Sequence, residues 1–270
     1  MKITGTWGRV VTGMLLAAAV LLVVTIRPTP LLAFLVAAWS LLATLEFIRL
    51  LKIAEIHLNP WLLGPLNLSV AAAAWLGWLP GFLLAPIAVV LVTAVALREP
   101  KPRVPVYGVF SVLYLGFLPA HLLMLRRLNP AGYGEVWLAA FPLLLTWLND
   151  TAAWGIGKLF GRHKLAPSMS PKKTWEGFLA GLVVSAVFTA LALPHMPAFS
   201  GRSWALLASF GIGLAALAQV GDLFESIFKR AVSIKDSSGI LGEHGGFLDR
   251  VDSLLFVIPA WYYLLLLYIR

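Results

Sequence analysis

Long apolar runs, separated by short polar breaks, recur along the whole chain. A membrane-spanning helix needs roughly 20 mostly apolar residues, and runs of this order end here at Pro, Gly or charged clusters such as "RPTP". The pattern predicts an all-α, polytopic integral membrane protein with about nine transmembrane helices. The predicted helices cover residues 10–26, 31–48, 61–79, 82–97, 105–125, 136–154, 174–193, 203–221 and 250–269.

The first apolar run also resembles a signal peptide, because Lys2 and Arg9 precede it. Its apolar part is long for a signal peptide, and "VVTIRPTP" lacks a small-x-small cleavage site. We therefore interpret it as a retained first span. The chain then divides into residues 1–135, with about five spans, and residues 136–270, which carry the large polar loops.

Composition supports a membrane location. The chain is 60% hydrophobic and 12% charged, whereas soluble domains have about a quarter charged residues. The absence of cysteine excludes disulfides, thiolate zinc sites and cysteine nucleophiles. In a membrane protein, the net charge of +9 indicates loop topology and anionic headgroups rather than a nucleic-acid partner.

The distribution of basic residues predicts the orientation. With nine helices, 16 of the 21 Lys and Arg residues fall on the side of the N-terminus. This bias predicts a cytoplasmic N-terminus and an outward C-terminus. The two largest polar loops then face the cytoplasm, and in a bacterium the membrane would be the inner one.

One polar segment spans residues 221–252 and joins the last two predicted helices. Five polar residues share one helical face at spacings of three, four, seven and eight, which predicts that the eighth helix continues beyond residue 221. A glycine-rich stretch follows, and the opening turn of the last helix then carries two carboxylates. The residues are Asp222, Glu225, Ser226, Lys229 and Arg230 on the face, and Asp249 and Asp252 on the turn.

These residue types suit phosphoryl transfer. Mg²⁺ binds one or two carboxylates together with water and substrate phosphates, and Asp222, Asp249 and Asp252 could supply such a site if the two helix ends meet. Basic groups that could hold phosphates are Lys229, Arg230, Lys235, His244 and Arg250. The alternatives are that Asp249 caps a helix, that the basic residues reflect topology, and that His244 is structural.

A second polar segment covers residues 148–177. Asp150 lies at the predicted membrane edge, and "GIGKLFGRHK" is predicted to be a loop, although it is not a phosphate-binding P-loop. In "SPKKT", Ser170 is the predicted N-cap and Pro171 the first residue of a helix. Lys172, Lys173 and Thr174 would then form a phosphate site at the helix N-terminus. The alternative is a capped helix with topology-determining lysines.

The stretch "SIFKRAVSIKDSSGILGEHGGFLDRVD", residues 226–252, resembles the signature of the phosphatidate cytidylyltransferases. The "SPKKTWEG" stretch, "ND" at 149–150 and "GD" at 221–222 are also similar to that family. The resemblance implies a nucleotidyltransferase that converts CTP and phosphatidate to CDP-diacylglycerol and pyrophosphate. It further implies Mg²⁺, with a second cation left open, a homodimer, and an active site open to the cytoplasm.

The resemblance also assigns roles to residues of this chain. Asp222 and Asp249 would hold the metal. The catalytic set would be Asp222, Asp249, Asp252, Lys229, Arg230 and His244. The substrate-binding set would be Asp150, Ser170, Lys172, Lys173, Thr174, Lys235, Gly245, Gly246 and Arg250.

Two rival functions are compatible with the same residues. A transporter also uses intramembrane charges and broken helices, but here the charges gather on one face of the membrane. A CTP-dependent lipid kinase would instead transfer the γ-phosphate. A CDP-alcohol phosphotransferase is disfavoured, because the chain has no D-G-x2-A-R run.

Overall fold

The computed structural model describes residues 18–25, 29–79, 81–128, 135–234 and 246–268. The chain forms two compact units. The first comprises Met1–Arg126, Val136–Ala140 and Asp236–Asp249, and the second comprises Arg127–Glu135, Phe141–Lys235 and Arg250–Arg270. Each unit is described by itself below. The functional division at residue 135 stays a prediction.

Helices make up nearly all of the described structure. Residues 18–25 are helical, and short 3₁₀ turns lie at Gly81–Leu83, Leu193–His195, Pro197–Phe199 and Leu248–Arg250. The helices are α1 (Thr29–Ile53), α2 (Pro60–Leu76), α3 (Leu84–Ala96), α4 (Arg103–Arg127), α5 (Glu135–Phe160), α6 (Trp175–Ala192), α7 (Trp204–Ala231) and α8 (Asp252–Tyr268). The strands are β1 (Lys164–Ala166) and β2 (Ser170–Thr174).

Local chemistry defines the ends of α2. The side chain of Asn59 accepts a hydrogen bond from the N–H of Trp61 at 2.9 Å, and Pro60 occupies the first helical position, where its missing N–H costs nothing. Gly77 ends the helix with a φ of 84°, a left-handed conformation that glycine adopts without strain. The predicted helix 61–79 therefore forms with a shift of one to three residues.

The first unit packs α1 against α2 and α4. Phe47 lies against Phe110, with ring centroids 5.5 Å apart. The buried side chain of Asn67 donates to Thr44 Oγ1 at 2.6 Å and to Ser111 Oγ at 3.2 Å, so three helices share one polar contact. A π-helical stretch, Val112–Phe117, interrupts α4 next to this contact, where Gly116 approaches Asn67 closely.

The second unit packs α7 between α6 and α8. Its core is aromatic: Phe141 stacks on Trp261 with centroids 4.3 Å apart, and Phe199 stacks on the same ring at 5.9 Å. These three side chains are at most 1% exposed. Burying such rings contributes strongly to stability, because each removes roughly 150–250 Å² from solvent.

Four of the described helices are long and apolar enough to cross a membrane: Pro30–Ile53, Arg103–Arg127, Trp175–His195 and Trp204–Ala231. Three shorter apolar helices are Pro60–Leu76, Gly81–Ala96 and Asp252–Tyr268. Large apolar side chains such as Phe34 and Val95 are more than 70% exposed, as expected of surfaces that face lipid. The all-α class is confirmed, with one small sheet added, and the four long apolar helices fit a membrane protein. The count of nine helices and the orientation stay predictions, and most of the predicted span 10–26 lies outside the described residues.

Candidate active site

A β-hairpin replaces the helix start predicted at Ser170. Strands β1 and β2 pair antiparallel, with Lys164 opposite Thr174 and Ala166 opposite Ser170. The predicted N-cap at Ser170 and helical Pro171 are therefore wrong. Pairing with β1 occupies the backbone of this segment, and a two-stranded sheet consists only of edges, where proline is tolerated.

Thr174 is the actual N-cap of α6. Its backbone is extended, and its hydroxyl accepts a hydrogen bond from the N–H of Gly177 at 3.2 Å. A capping threonine typically contributes about 1 kcal/mol to helix stability. Lys172 and Lys173 consequently lie on β2 and not in the first turn of the helix.

Side chains hold the hairpin at both ends. At its base, the carboxylate of Glu176 accepts from His163, through Nδ1 at 2.6 Å and through the backbone N–H at 3.2 Å. At its tip, Arg230 Nε donates to the Met169 carbonyl at 2.9 Å, while Nη1 donates to the Ile234 carbonyl at 2.9 Å. Arg230, predicted to bind phosphate, thus links the end of α7 to the hairpin.

Helix α5 continues to Phe160, six residues beyond its predicted end. Gly157, one of the glycines predicted to form a loop here, serves helix packing instead. A Cβ at Gly177 would lie 2.5 Å from the Ala153 carbonyl oxygen and 3.2 Å from the Cα of Gly157. Glycine therefore lets α5 and α6 approach until their backbones touch, which keeps α5 helical past the predicted break.

A cavity of about 600 Å³ opens between α5, the hairpin, α6 and α7 in the second unit. Six of the predicted site residues line it, and they come from three different elements. The lining residues are Asp150, Ala153, Trp154, Gly157 and Lys158 of α5; Ser170, Lys172, Lys173 and Thr174 of β2; Gly177 and Phe178 of α6; and Gln219 and Asp222 of α7.

Opposite charges meet at this cavity. Lys173 Nζ lies 2.9 Å from Asp222 Oδ2 and 3.4 Å from the Gln219 carbonyl oxygen. The side chain of Asp222 is 40% exposed, so this ion pair remains open to solvent and is of modest strength. Asp222 also lies close enough to Asp150 and Asp252 for their charges to repel. The arrangement places an acidic centre beside basic groups that are accessible to an anion.

The five polar residues share one face of α7, as their spacing predicts, and three of them are buried. Glu225, Ser226 and Lys229 are buried, while Ile227 on the opposite face is 48% exposed. Lys229 Nζ forms an ion pair with Glu225 Oε2 one helical turn away. Lys229, predicted to be catalytic, thus lies in a buried ion pair and is not among the residues that line the cavity.

Helices α7 and α8 meet at Asp252. This residue is 7% exposed, and its Oδ1 accepts a hydrogen bond from the Ser253 N–H at 2.6 Å. A Cβ at Gly221 would lie 2.7 Å from the Asp252 carbonyl oxygen, so the two helices touch here. Arg250, just before α8, is exposed.

Asp249 and Gly246 belong to the first unit, where the carboxylate of Asp249 accepts from the Gly246 N–H at 2.8 Å. This bond closes a turn before α8. The pairing of Asp222 with Asp249 on one cation stays a prediction. Lys235, His244 and Gly245 lie outside the described residues.

The donor chemistry suits Mg²⁺. Among the described residues, no three His, Asp or Glu side chains converge on one metal position. Mg²⁺ does not require such a cluster, because it usually takes one or two carboxylates and completes its shell with water and phosphate oxygens. Asp222, a partly exposed carboxylate in a cavity that Lys172 and Lys173 also line, has the right oxygen donors.

Several lining residues escaped the sequence analysis. Gln219 lies three residues before Asp222 on the same helical face, and Trp154 lies four residues after Asp150. Phe178 follows Thr174 by four residues. On a helix, residues three or four positions apart lie on the same face. Applying this spacing to each predicted carboxylate and cap would have found all three residues.

Comparison with known proteins agrees with these features. The chain matches the Cytidylyltransferase family over residues 7–268. It is 30% identical to the phosphatidate cytidylyltransferase of Bacillus subtilis over 96% of this chain and 97% of that protein. It is 37% identical to the phosphatidate cytidylyltransferase of Aquifex aeolicus over 66% of this chain, and 47% identical to that of Staphylococcus aureus over 44%. These two alignments span 65% and 45% of the relatives' own lengths. The resemblance predicted from residues 226–252 is confirmed: the chain belongs to the cytidylyltransferase family.

Proposed function

We propose that this protein is a phosphatidate cytidylyltransferase: it transfers the cytidylyl group of CTP to phosphatidate and releases CDP-diacylglycerol and pyrophosphate. The family match and the B. subtilis relative support the reaction class. The observation that carries the proposal onto this chain is the cavity of about 600 Å³, whose lining combines the carboxylates of Asp150 and Asp222 with Lys172 and Lys173.

The reaction is a displacement at phosphorus. A phosphate oxygen of phosphatidate attacks the α-phosphorus of CTP, a new P–O bond forms, and the bond to the β-phosphate oxygen breaks. The attacking oxygen is already anionic near neutral pH, because the second phosphate pKa is about 6. No strong general base is therefore needed, and catalysis depends on positioning and on charge stabilisation.

Lys172 and Lys173 would hold phosphates. In the structure Lys173 pairs with Asp222 at 2.9 Å. A triphosphate carries more negative charge than one carboxylate, so Lys173 would exchange this partner for a phosphate oxygen when CTP binds. The lysine would then neutralise charge on the substrate, and Asp222 would be released from its ion pair.

Asp222 would hold Mg²⁺ at the cavity, with Asp150 nearby, and Asp249 is the second predicted ligand. The bound ion would supply charge neutralisation on the phosphate oxygens and on the leaving pyrophosphate. A second cation remains part of the prediction, because the acidic residues here outnumber the ligands that one Mg²⁺ ordinarily takes.

The proposed orientation brings both substrates to one site. With nine spans and a cytoplasmic N-terminus, the hairpin and the end of α7 lie on the cytoplasmic face, which in a bacterium is the inner face of the inner membrane. CTP arrives from the cytoplasm, while the headgroup of phosphatidate lies at the interface with its chains in the bilayer. A homodimer is proposed from the family resemblance alone.

Product analysis tests the function. Purified protein is incubated with CTP labelled at the α-phosphate, phosphatidate and Mg²⁺, with and without a chelator. We expect CDP-diacylglycerol and pyrophosphate, and loss of both on chelation. CDP together with a phosphorylated lipid would instead identify a lipid kinase. Absence of any CTP-derived product, with uptake of a solute into vesicles, would favour a transporter.

A further inference from the structure

A buried carboxylate from the N-terminal half of the chain holds the signature segment. Glu46, on α1, is 0% exposed. Its Oε1 accepts a hydrogen bond from the N–H of Phe247 at 2.8 Å, and its Oε2 accepts from the N–H of Leu248 at 2.7 Å. More than 200 residues separate the partners in sequence, and both belong to the first unit.

The burial of the Glu46 carboxylate requires compensating interactions. Moving a charged group out of water costs several kcal/mol unless hydrogen bonds compensate. Both oxygens of Glu46 receive backbone donors at short distance, and bonds to a charged acceptor are about twice as strong as neutral ones. Two such bonds to adjacent amides fix the orientation of the backbone as well as its position.

The neighbouring amide follows the same pattern. Gly246 donates to Oδ2 of Asp249 at 2.8 Å, so three successive N–H groups, those of residues 246–248, all end on carboxylate oxygens. Successive N–H groups of this kind form a concave anion site. Here the protein fills the site with its own carboxylates, and the turn before Asp249 is therefore shaped before any substrate arrives.

We propose that Glu46 is a positioning residue for the cation site, an inference that rests on the proposed function and deepens it. Asp249 directly follows Leu248, whose amide Glu46 holds. A metal ligand must lie within about 0.5 Å of its productive place. Glu46 acts on Asp249 through the backbone, and it need not touch CTP or phosphatidate itself.

The variant Glu46→Gln tests this inference, because it keeps the size of the side chain but replaces one acceptor oxygen with an amide nitrogen. One of the two amides then loses its acceptor. The matched control is Thr44→Val. Thr44 lies on the same helix as Glu46, and its substitution removes a buried hydrogen bond from Asn67 but leaves the contacts of Glu46 in place. Full-length protein in lipid nanodiscs serves for all variants.

Three readouts separate positioning from folding. Hydrogen exchange of a peptide covering residues 246–252 reports on the turn. Binding of Mn²⁺ in the presence of CTP, followed by electron paramagnetic resonance, reports on the cation site. CDP-diacylglycerol formation reports on turnover. For Glu46→Gln we expect exchange about tenfold faster, Mn²⁺ affinity roughly tenfold weaker and a similar fall in kcat, a factor that corresponds to about 1.4 kcal/mol. Thr44→Val should lower the melting temperature without changing the other values.

Unchanged exchange and unchanged Mn²⁺ affinity in Glu46→Gln would overturn the inference, and so would faster exchange with normal Mn²⁺ affinity. If Glu46→Gln fails to fold, Glu46→Asp takes its place. This variant keeps the charge, but its side chain is too short to reach both amides. Hydrogen exchange and Mn²⁺ affinity equal to those of the wild type would then also overturn the inference. A wild-type protein that binds Mn²⁺ but makes no CDP-diacylglycerol would refute the proposed function, while exchange and Mn²⁺ binding would still test Glu46.

Discussion

Polar side chains gather in both units, but they meet different partners. At the cavity of the second unit, Lys173 and Asp222 form an ion pair that is partly exposed and lies beside other charges. In the first unit, Asn67 is fully buried and donates to the hydroxyls of Thr44 and Ser111. The first arrangement can exchange partners with a charged substrate, whereas the second joins three helices and leaves no path to solvent.

This difference shows that polarity inside a membrane protein is not by itself a sign of a ligand site. Polar residues among apolar helices are often functional, yet exposure and charge decide what they can do. Glu46 differs both from the exposed ion pair and from the buried Asn67 contact, because it is a buried carboxylate that accepts hydrogen bonds from backbone amides. Substitutions in the two regions should therefore affect different measurements.

The largest effect should follow from Asp249→Asn. The amide oxygen can still accept the bond from Gly246, so the turn should be kept, while a negative charge for the cation is lost. We expect turnover to fall by about 1000-fold or more, the scale on which electrostatic groups in active sites act. The control is Glu55→Gln, the same chemical change at an exposed position, which should leave turnover unchanged. Near-normal CDP-diacylglycerol synthesis by Asp249→Asn would refute its role as a ligand.

A smaller effect should follow from Lys173→Met. A hydrogen bond to a charged group contributes about 1.5–3 kcal/mol, so we expect kcat/KM for CTP to fall roughly 10- to 100-fold, mainly through KM. Lys164→Met, on the partner strand and outside the cavity lining, serves as the control. Steady-state kinetics at several CTP concentrations would measure both, and equal behaviour of the two variants would remove Lys173 from the substrate site.

Gly177→Ala should act on stability. Its new Cβ would clash with the Ala153 carbonyl at 2.5 Å and separate α5 from α6. Overpacking of this kind typically costs about 1–3 kcal/mol. Gly213→Ala places a Cβ in open space within α7 and should be neutral or slightly stabilising, by up to about 1 kcal/mol. Thermal unfolding in detergent compares them, and equal melting temperatures would contradict the close packing.

The smallest effect on catalysis should come from Asn67→Ala in the first unit. Loss of its two bonds to Thr44 and Ser111 should lower stability by about 1–3 kcal/mol. The KM for CTP should stay unchanged, because Asn67 is fully buried in the first unit and is not among the residues that line the cavity. A rise in the KM for CTP would show that the buried polar contact influences the substrate site, and the distinction between the two regions would then fail.

The sequence predicts the helices well because apolar length is a local property. It also predicts that α7 continues past residue 221, since the polar spacing there is regular. The apolar run predicts the helix 174–193, which begins within one residue of α6, whereas the local Ser170–Pro171 pattern wrongly predicts an N-cap four residues earlier. Only the pairing of residues 164–166 with 170–174 decides for Thr174, and such pairing is not visible in a local pattern.

Glycine caused the other error in the secondary structure. Gly155, Gly157 and Gly161 are typical of a loop, but close contact with α6 stabilises a continuous helix around Gly157. For the site, six predicted residues line the cavity, and four of them do so from strand β2 rather than from the predicted helix N-terminus. Glu46 could not be found in this way, since its partners are backbone amides more than 200 residues away.

The most direct test of the central claim is the turnover of Asp222→Asn, compared with wild type at equal melting temperature and equal protein amount. If Asp222 is the acidic centre of a cytidylyltransferase site and Lys173 its resting partner, CDP-diacylglycerol formation should fall by about 1000-fold or more. Formation at a rate near that of the wild type would show that the chemistry takes place elsewhere in the molecule.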